Sequence, residues 1–128
     1  IRQWNIEDGR QQGPTMQAGR CVYSIAVSQD GQWIVSGDFA KKAIVWNALT
    51  NEKVHHTQYG HWVSVCGVKF SPGGGRFATA SRDYGVRVYS THGGKVLFDS
   101  DTRGSTGSSS LVTPLAWSAD GQQLFVAS

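Results

Sequence analysis

Three stretches of this chain are versions of one another. Val27-Ser28-Gln29-Asp30-Gly31-Gln32-Trp33-Ile34-Val35-Ser36-Gly37-Asp38 aligns with Phe70-Ser71-Pro72-Gly73-Gly74-Gly75-Arg76-Phe77-Ala78-Thr79-Ala80-Ser81. It aligns again with Trp117-Ser118-Ala119-Asp120-Gly121-Gln122-Gln123-Leu124-Phe125-Val126-Ala127-Ser128. The copies lie 43 and then 47 residues apart. A period in the forties, with a Gly-containing turn between two apolar strands, marks the blade of a β-propeller. One such unit cannot bury both of its faces, so the architecture follows from how units stack.

The remainder of each unit also reads as strand. Residues 1–4, 43–47 and 86–90 match, each followed by a polar turn: Glu7-Asp8-Gly9, Leu49-Thr50-Asn51-Glu52 and Thr91-His92-Gly93-Gly94. Short strands such as Lys53-Val54-His55 and Lys95-Val96-Leu97-Phe98 come next. Asp-Gly and Gly-Gly between apolar runs read as hairpins. The inner pair of strands is 22–27 with 33–37, then 63–70 with 76–80, then 112–117 with 123–127. Each unit therefore holds four short antiparallel strands, rich in Val, Ile, Phe, Trp and Tyr as strands prefer. No convincing helical period is present. The long irregular piece, 99–110, accounts for the four extra residues of the second spacing. It is expected to be a surface loop, with binding as the alternative.

Bulk properties exclude several classes. Hydrophobic residues make up 39% and charged residues 16%, with 16 glycines against 3 prolines, which suits many tight turns rather than a disordered linker. The net charge of +3 is a weak bias, and no basic block exceeds Lys41-Lys42, so nucleic acid is not an expected partner. There is no 18-residue apolar run and hence no expected membrane partner. The first residues show no apolar signal region and no initiator Met, so the expectation is of a start inside a longer gene product. Cys21 and Cys66, each near the start of an equivalent strand, are expected to be reduced and structural, pointing to a cytoplasmic, intracellular chain.

The pattern resembles the WD40 repeat. The likeness is best over Gly60-His61, Val65, Val68-Lys69-Phe70-Ser71-Pro72-Gly73-Gly74, Thr79-Ala80-Ser81-Arg82-Asp83 and Val86-Arg87-Val88-Tyr89. It extends over 22–46 in the first unit and from Val112 onward in the last, with the look of repeats common in fungal WD40 proteins. The resemblance implies an all-β, WD40-type β-propeller segment of about three blades' worth of four-stranded antiparallel sheets. It implies blade strands c–d at 1–16, whole blades at 22–57 and 63–98, and strands a–b at 112–128. It also implies a structural hydrogen-bond relay through His61, Thr79 or Ser81, Asp83 and Tyr89, where Tyr89 takes the place of a Trp. In the first unit Ala18 and Ala40 stand at the positions of His61 and Asp83, so that blade is expected to lack a relay and to keep Trp46 for apolar packing alone.

Natural propellers have about four to eight blades, so three blades' worth does not close a ring. Two completions are expected. A homodimer would join strands a–b of one copy to c–d of the other and close six blades. Alternatively, the chain is part of a longer propeller, either a natural fragment or an engineered section.

Catalytic patterns are not assembled. Asp30 and Asp120 belong to Asp-Gly turns. Asp99-Ser100-Asp101 lacks the Gly and the terminal Glu of a calcium loop. His55-His56 with His61 makes a poor zinc set, because neighbours on a strand point to opposite faces. Gly73-Gly74-Gly75-Arg76 lacks the Lys and following helix of a phosphate loop. The expectation is a non-enzymatic protein with no metal and no cofactor. The resemblance implies that loops b–c and d–a share one propeller face, which would present Phe39, Lys41, Lys42, Tyr59, Trp62, Arg82 and Tyr84 as a protein-binding patch. Aromatic and Arg side chains on a rigid surface are what binding hot spots use. The expected partners are proteins or peptides. The alternative is a carbohydrate-binding, lectin-like propeller using Trp33, Trp62 or Trp117, although Trp33 aligns with Arg76 and Gln123 rather than with other aromatics.

Overall fold

The computed structural model describes residues 1–39, 41–57, 64–81, 85–100 and 115–126. It is all-β, in two four-stranded antiparallel sheets and one two-stranded sheet. The first sheet holds β1 (Val22–Val27), β2 (Trp33–Asp38), β3 (Ala43–Asn47) and β4 (Lys53–His56). The second holds β5 (Val65–Phe70), β6 (Arg76–Ser81), β7 (Val86–Ser90) and β8 (Val96–Asp99). The third pairs β9 (Leu115–Trp117) with β10 (Leu124–Val126). Strands are hydrogen-bonded in chain order within each sheet, the meander of a propeller blade. The ring is unclosed, as expected of an incomplete propeller. Residues 1–16 fold back on themselves through a single Trp4↔Gln11 bridge, with Met16 N–H donating to the Ile1 carbonyl.

The two full sheets repeat in register as well as in sequence. Val27 pairs with Ile34 as Phe70 pairs with Phe77, and Trp117 with Leu124. Each full sheet carries two bulges at matching places, one between β1 and β2 at Tyr23 and between β5 and β6 at Cys66. The other leaves Val54 and Leu97 as the extra residues of β4 and β8. Bulges sharpen the local twist, so their repetition gives both blades the same curvature. In this register Cys66, the second residue of β5, corresponds to Tyr23, while Cys21 lies exposed just ahead of β1, so each cysteine sits near the start of an equivalent strand.

The inner turns repeat a small polar device. The Ser28 hydroxyl donates to Asp30 at 2.6 Å and accepts from the Trp33 N–H, while the Gln32 N–H donates to Asp30. Ser118 and Asp120 reproduce these bonds. Gly31, Gly74 and Gly121 close the three turns at φ of 73°, 75° and 71°, a region costly for a residue with a Cβ. Hydrogen bonding from Ser28, and then from the Gln32 N–H, holds the Asp30 carboxyl below its usual range.

The main core lies between the full sheets. Val35, Ala43 and Val45 of the first meet Val65, Val68, Phe70, Phe77 and Tyr89 of the second. Phe77 stacks on Tyr89 at 5.4 Å between centroids and meets Phe70 edge-on. A second cluster joins Met16, with Ile1 and Ala18 beside it, to Ile34, Ile44, Trp46 and Ala48. Successive residues of β2 therefore serve opposite neighbours: Ile34 faces residues 1–18 and Val35 faces the second sheet.

Close approach of the sheets depends on Gly37. A Cβ there would lie 2.6 Å from Val65 Cγ1 and 2.9 Å from the Val65 carbonyl oxygen. Gly37→Ala is expected to cost about 1–3 kcal/mol by forcing the sheets apart. Gly75→Ala, where a Cβ meets nothing within 4 Å, is expected to stay within about 0.5 kcal/mol of the parent. Urea melts of the two variants compare them directly. For the turn, Ser28→Ala should raise the Asp30 pKa in an NMR titration. Because that pKa is depressed in the folded chain, the stabilisation is present above the unfolded value and fades as pH falls through the folded one. An unmoved Asp30 would remove Ser28 as the cause.

Candidate interaction surfaces

Buried hydroxyls fix the aromatic residue on the third strand of each blade. Trp46, 2% exposed, donates its indole N–H to the Ser36 hydroxyl at 3.0 Å. Tyr89, 1% exposed, is hydrogen-bonded to the side chains of Thr79, Arg87 and Thr57. Burial pushes the Tyr89 phenol above its usual range, and the Arg87 charge and these hydrogen bonds oppose that push. Ser36 and Thr79 are equivalent positions, so both blades use the same aromatic-to-hydroxyl link. The expectation that Trp46 packs only as an apolar group is corrected, since its neighbour Ser36 supplies an acceptor that a Trp-only reading overlooks.

Among the proposed relay residues, Thr79 and Ser81 are fully buried on β6, and the Ser81 hydroxyl donates to the Ser64 carbonyl at 2.9 Å. His61 and Asp83 lie outside the described residues.

A set of contacts between neighbouring blades was not anticipated from sequence. Asn51 donates its side-chain N–H groups to the carbonyls of Gln12, at 2.8 Å, and Pro14. The His55 Nε2 meets the Thr91 carbonyl at 2.7 Å, so that nitrogen carries the proton. Asn51 and Gly94 occupy the same place in their turns, at φ of 60° and 63°, and each packs on a segment earlier in the chain: Asn51 at Gly13, Gly94 at His55 of β4. Asn tolerates this left-handed geometry, which was the one signal available in the sequence. On the inner strands the Val68 N–H donates to the Ser24 hydroxyl across the blade junction. At the next junction Arg76 donates to the Gly121 carbonyl at 2.8 Å and lies over the Trp117 ring.

Of the expected binding patch, Phe39 is 53% exposed and follows β2 directly. Lys41 is exposed at φ 74°, an unusual value for a lysine, and Lys42 is half-buried. The three share one loop between β2 and β3. Tyr59, Trp62, Arg82 and Tyr84 lie outside the described residues, so the patch is seen only in this part.

Asp99 of the considered calcium segment is ion-paired with Arg87 at 2.9 Å, and Asp101 lies outside the described residues. Among the described residues no three His, Cys, Asp or Glu side chains converge as a metal site. No helix among them is long and apolar enough to cross a membrane.

The family model described as "WD domain, G-beta repeat" matches residues 12–47 and 52–90. Guanine nucleotide-binding protein subunit beta of Arabidopsis thaliana is 31% identical over 95% of this chain and 34% of the relative. Protein HIR1 of Candida albicans is 38% identical over 53% of this chain and 7% of the relative. Among solved structures, the WD40 repeats of RRP9 superpose with a TM-score of 0.70 at 25% identity, covering 77% of this chain and 31% of that one. U3-55K gives 0.69 at 26% identity, over 77% and 32%. The chain thus spans about a third of the subunit-beta relative and of these solved chains.

The indole–hydroxyl link is testable by a double-mutant cycle. Trp46→Phe should cost about 1–3 kcal/mol, because it strands a buried hydroxyl as well as losing a bond. Ser36→Ala should cost a similar amount. The double variant is expected to lose clearly less than the sum of the two. Additive losses in chemical denaturation would mean that the two groups do not act together.

Proposed function

This chain belongs to the WD40 family, and we propose that it acts as a non-catalytic scaffold that displays loops of a rigid propeller face to other proteins or peptides. The observation that carries this reading is the loop between β2 and β3. Phe39 is exposed there, close in sequence to two lysines, at the end of a largely buried strand. Lys41 keeps a left-handed backbone that a glycine would adopt at lower cost, and strain of this kind gathers at binding sites. An aromatic flanked by ammonium groups suits a peptide with an apolar anchor and nearby carboxylates. Tyr59, Trp62, Arg82 and Tyr84 are proposed to extend the patch. The blade boundaries 1–16, 22–57, 63–98 and 112–128 remain the proposed organisation, and His61 and Asp83 the proposed remainder of the relay.

A cytoplasmic setting is proposed, supported by two cysteines that are both free, one exposed and one buried. The fungal cast of the repeats is likewise a proposal, supported by the Candida albicans relative. The carbohydrate reading has less support. Trp33 meets His92 edge-on and Trp117 lies beneath Arg76, so neither offers a repeated open platform for a sugar ring.

The test uses an array of short peptides varied in acidic and aromatic content. Peptides combining an apolar side chain with Asp or Glu should bind, and Phe39→Ala should weaken that binding about tenfold. Lys41→Gly removes the ammonium while relaxing the backbone, so binding should fall while thermal stability holds or rises. Binding that ignores both substitutions would place the partner surface elsewhere.

A further inference from the structure

Two histidines hold the turn 91–94 of the second blade against the first. His92, on the turn itself, meets the Trp33 ring of the first blade edge-on at 5.5 Å. His55, on β4 of the first blade, reaches the Thr91 carbonyl through Nε2 at 2.7 Å. Both contacts lie between the two four-stranded sheets, where each blade has its full neighbour.

The two imidazoles sit in opposite surroundings. His92 is exposed, and a charge on it would face water and an indole ring, which attracts cations. His55 is half-buried, and its Nδ1 is shut off from solvent with no hydrogen-bond partner. Gly94 closes over that nitrogen so tightly that a Cβ there would lie 3.0 Å from Nδ1 and 3.2 Å from Cε1.

The neutral ring fits this slot. Its proton sits on Nε2 and goes to Thr91, and Nδ1 is left as a lone pair. Protonation would place an N–H on Nδ1, aimed at a turn that offers it no acceptor, and would bring in a charge with little water to solvate it. The neighbouring charges do not relieve that cost. Lys53 and His56 flank the ring on β4, and the turn brings His92 with Lys95 after it. β3, whose Val45 pairs with His55, carries no charged residue. On β7, the Tyr89 phenol is bonded to Thr79, Arg87 and Thr57, and Arg87 is paired with Asp99. Glu52, at the head of β4, is exposed. No Asp or Glu among the described residues pairs with either histidine.

We propose that His55 is a pH-sensitive latch between the two blades. Neutral, it ties β4 to the turn 91–94; protonated, it releases the turn. An unfolded histidine takes up its proton at about pH 6.5. The folded junction resists that proton, so the unfolded chain binds more protons as pH falls. The stability that the latch contributes is therefore present at neutral pH and lost on acidification.

Thermal melts between about pH 8 and about pH 5.5, above the usual carboxylate range, test this. The parent should lose about 4 °C or more across that interval. His55→Gln keeps an amide N–H for the Thr91 carbonyl but cannot titrate, and should lose less than about half as much. His92→Gln should lose as much as the parent, since His92 carries its proton in the open. A His55→Gln chain whose melting falls as steeply as the parent's overturns the latch, and so does a His92→Gln chain that no longer responds to acid. A second measurement needs no change at His55. In the His92→Gln chain, which lacks the other titrating ring of this junction, the Gly94 amide resonance should shift on acidification as the turn comes free. A Gly94 resonance that stays in place over the whole interval also overturns the proposal.

Discussion

A four-stranded sheet with apolar residues on both faces has to be covered twice, and this chain covers its sheets with each other. Alternation along a strand sends Ile34 to one neighbour and Val35 to the other. No sheet therefore has a core of its own. The buried volume belongs to junctions, and Gly37 sets how near two sheets come, because Val65 occupies the space that any side chain would need. Stability in such an array is a sum over units and interfaces rather than a property of one centre.

Two polar systems make the junctions specific. One works inside the blade, where Trp46 and Ser36, or Tyr89 and Thr79, tie the third strand to the second. The other works between blades, where Asn51 reaches the Gln12 and Pro14 carbonyls and His55 reaches Thr91. Apolar packing alone would let neighbouring sheets slide. A directional bond between the turn that follows a third strand and the segment packed against it from earlier in the chain fixes the offset, since a shifted sheet would leave buried polar groups without partners.

The all-β architecture was legible in the sequence because its signals are local. The Ser-x-Asp-Gly turns and alternating apolar runs need only a few neighbouring residues, and they placed β1, β2, β6 and β7 within a residue or two of their observed limits. Bulges were not legible. Tyr23 and Cys66 look like ordinary strand residues, and the extra residue declares itself only through pairing. The polar contacts of Trp46 and His55 were missed for a related reason: their partners lie 10 and 36 residues away, and one partner is a backbone carbonyl that carries no side-chain signature. Of the binding patch, exposure of Phe39 was readable from its place after a strand ending, whereas the left-handed Lys41 was not, because lysine carries no preference for that region.

The Val68 amide has a further consequence. Its hydrogen goes to the Ser24 hydroxyl of the neighbouring blade rather than to its own sheet. Loss of that bond requires the two blades to part at the inner rim, and it does not require either sheet to melt. Most amides of β6, held on both sides by β5 and β7, exchange with solvent only when the ladder itself opens. The two kinds of amide thus divide the parting of a blade junction from the unfolding of a blade.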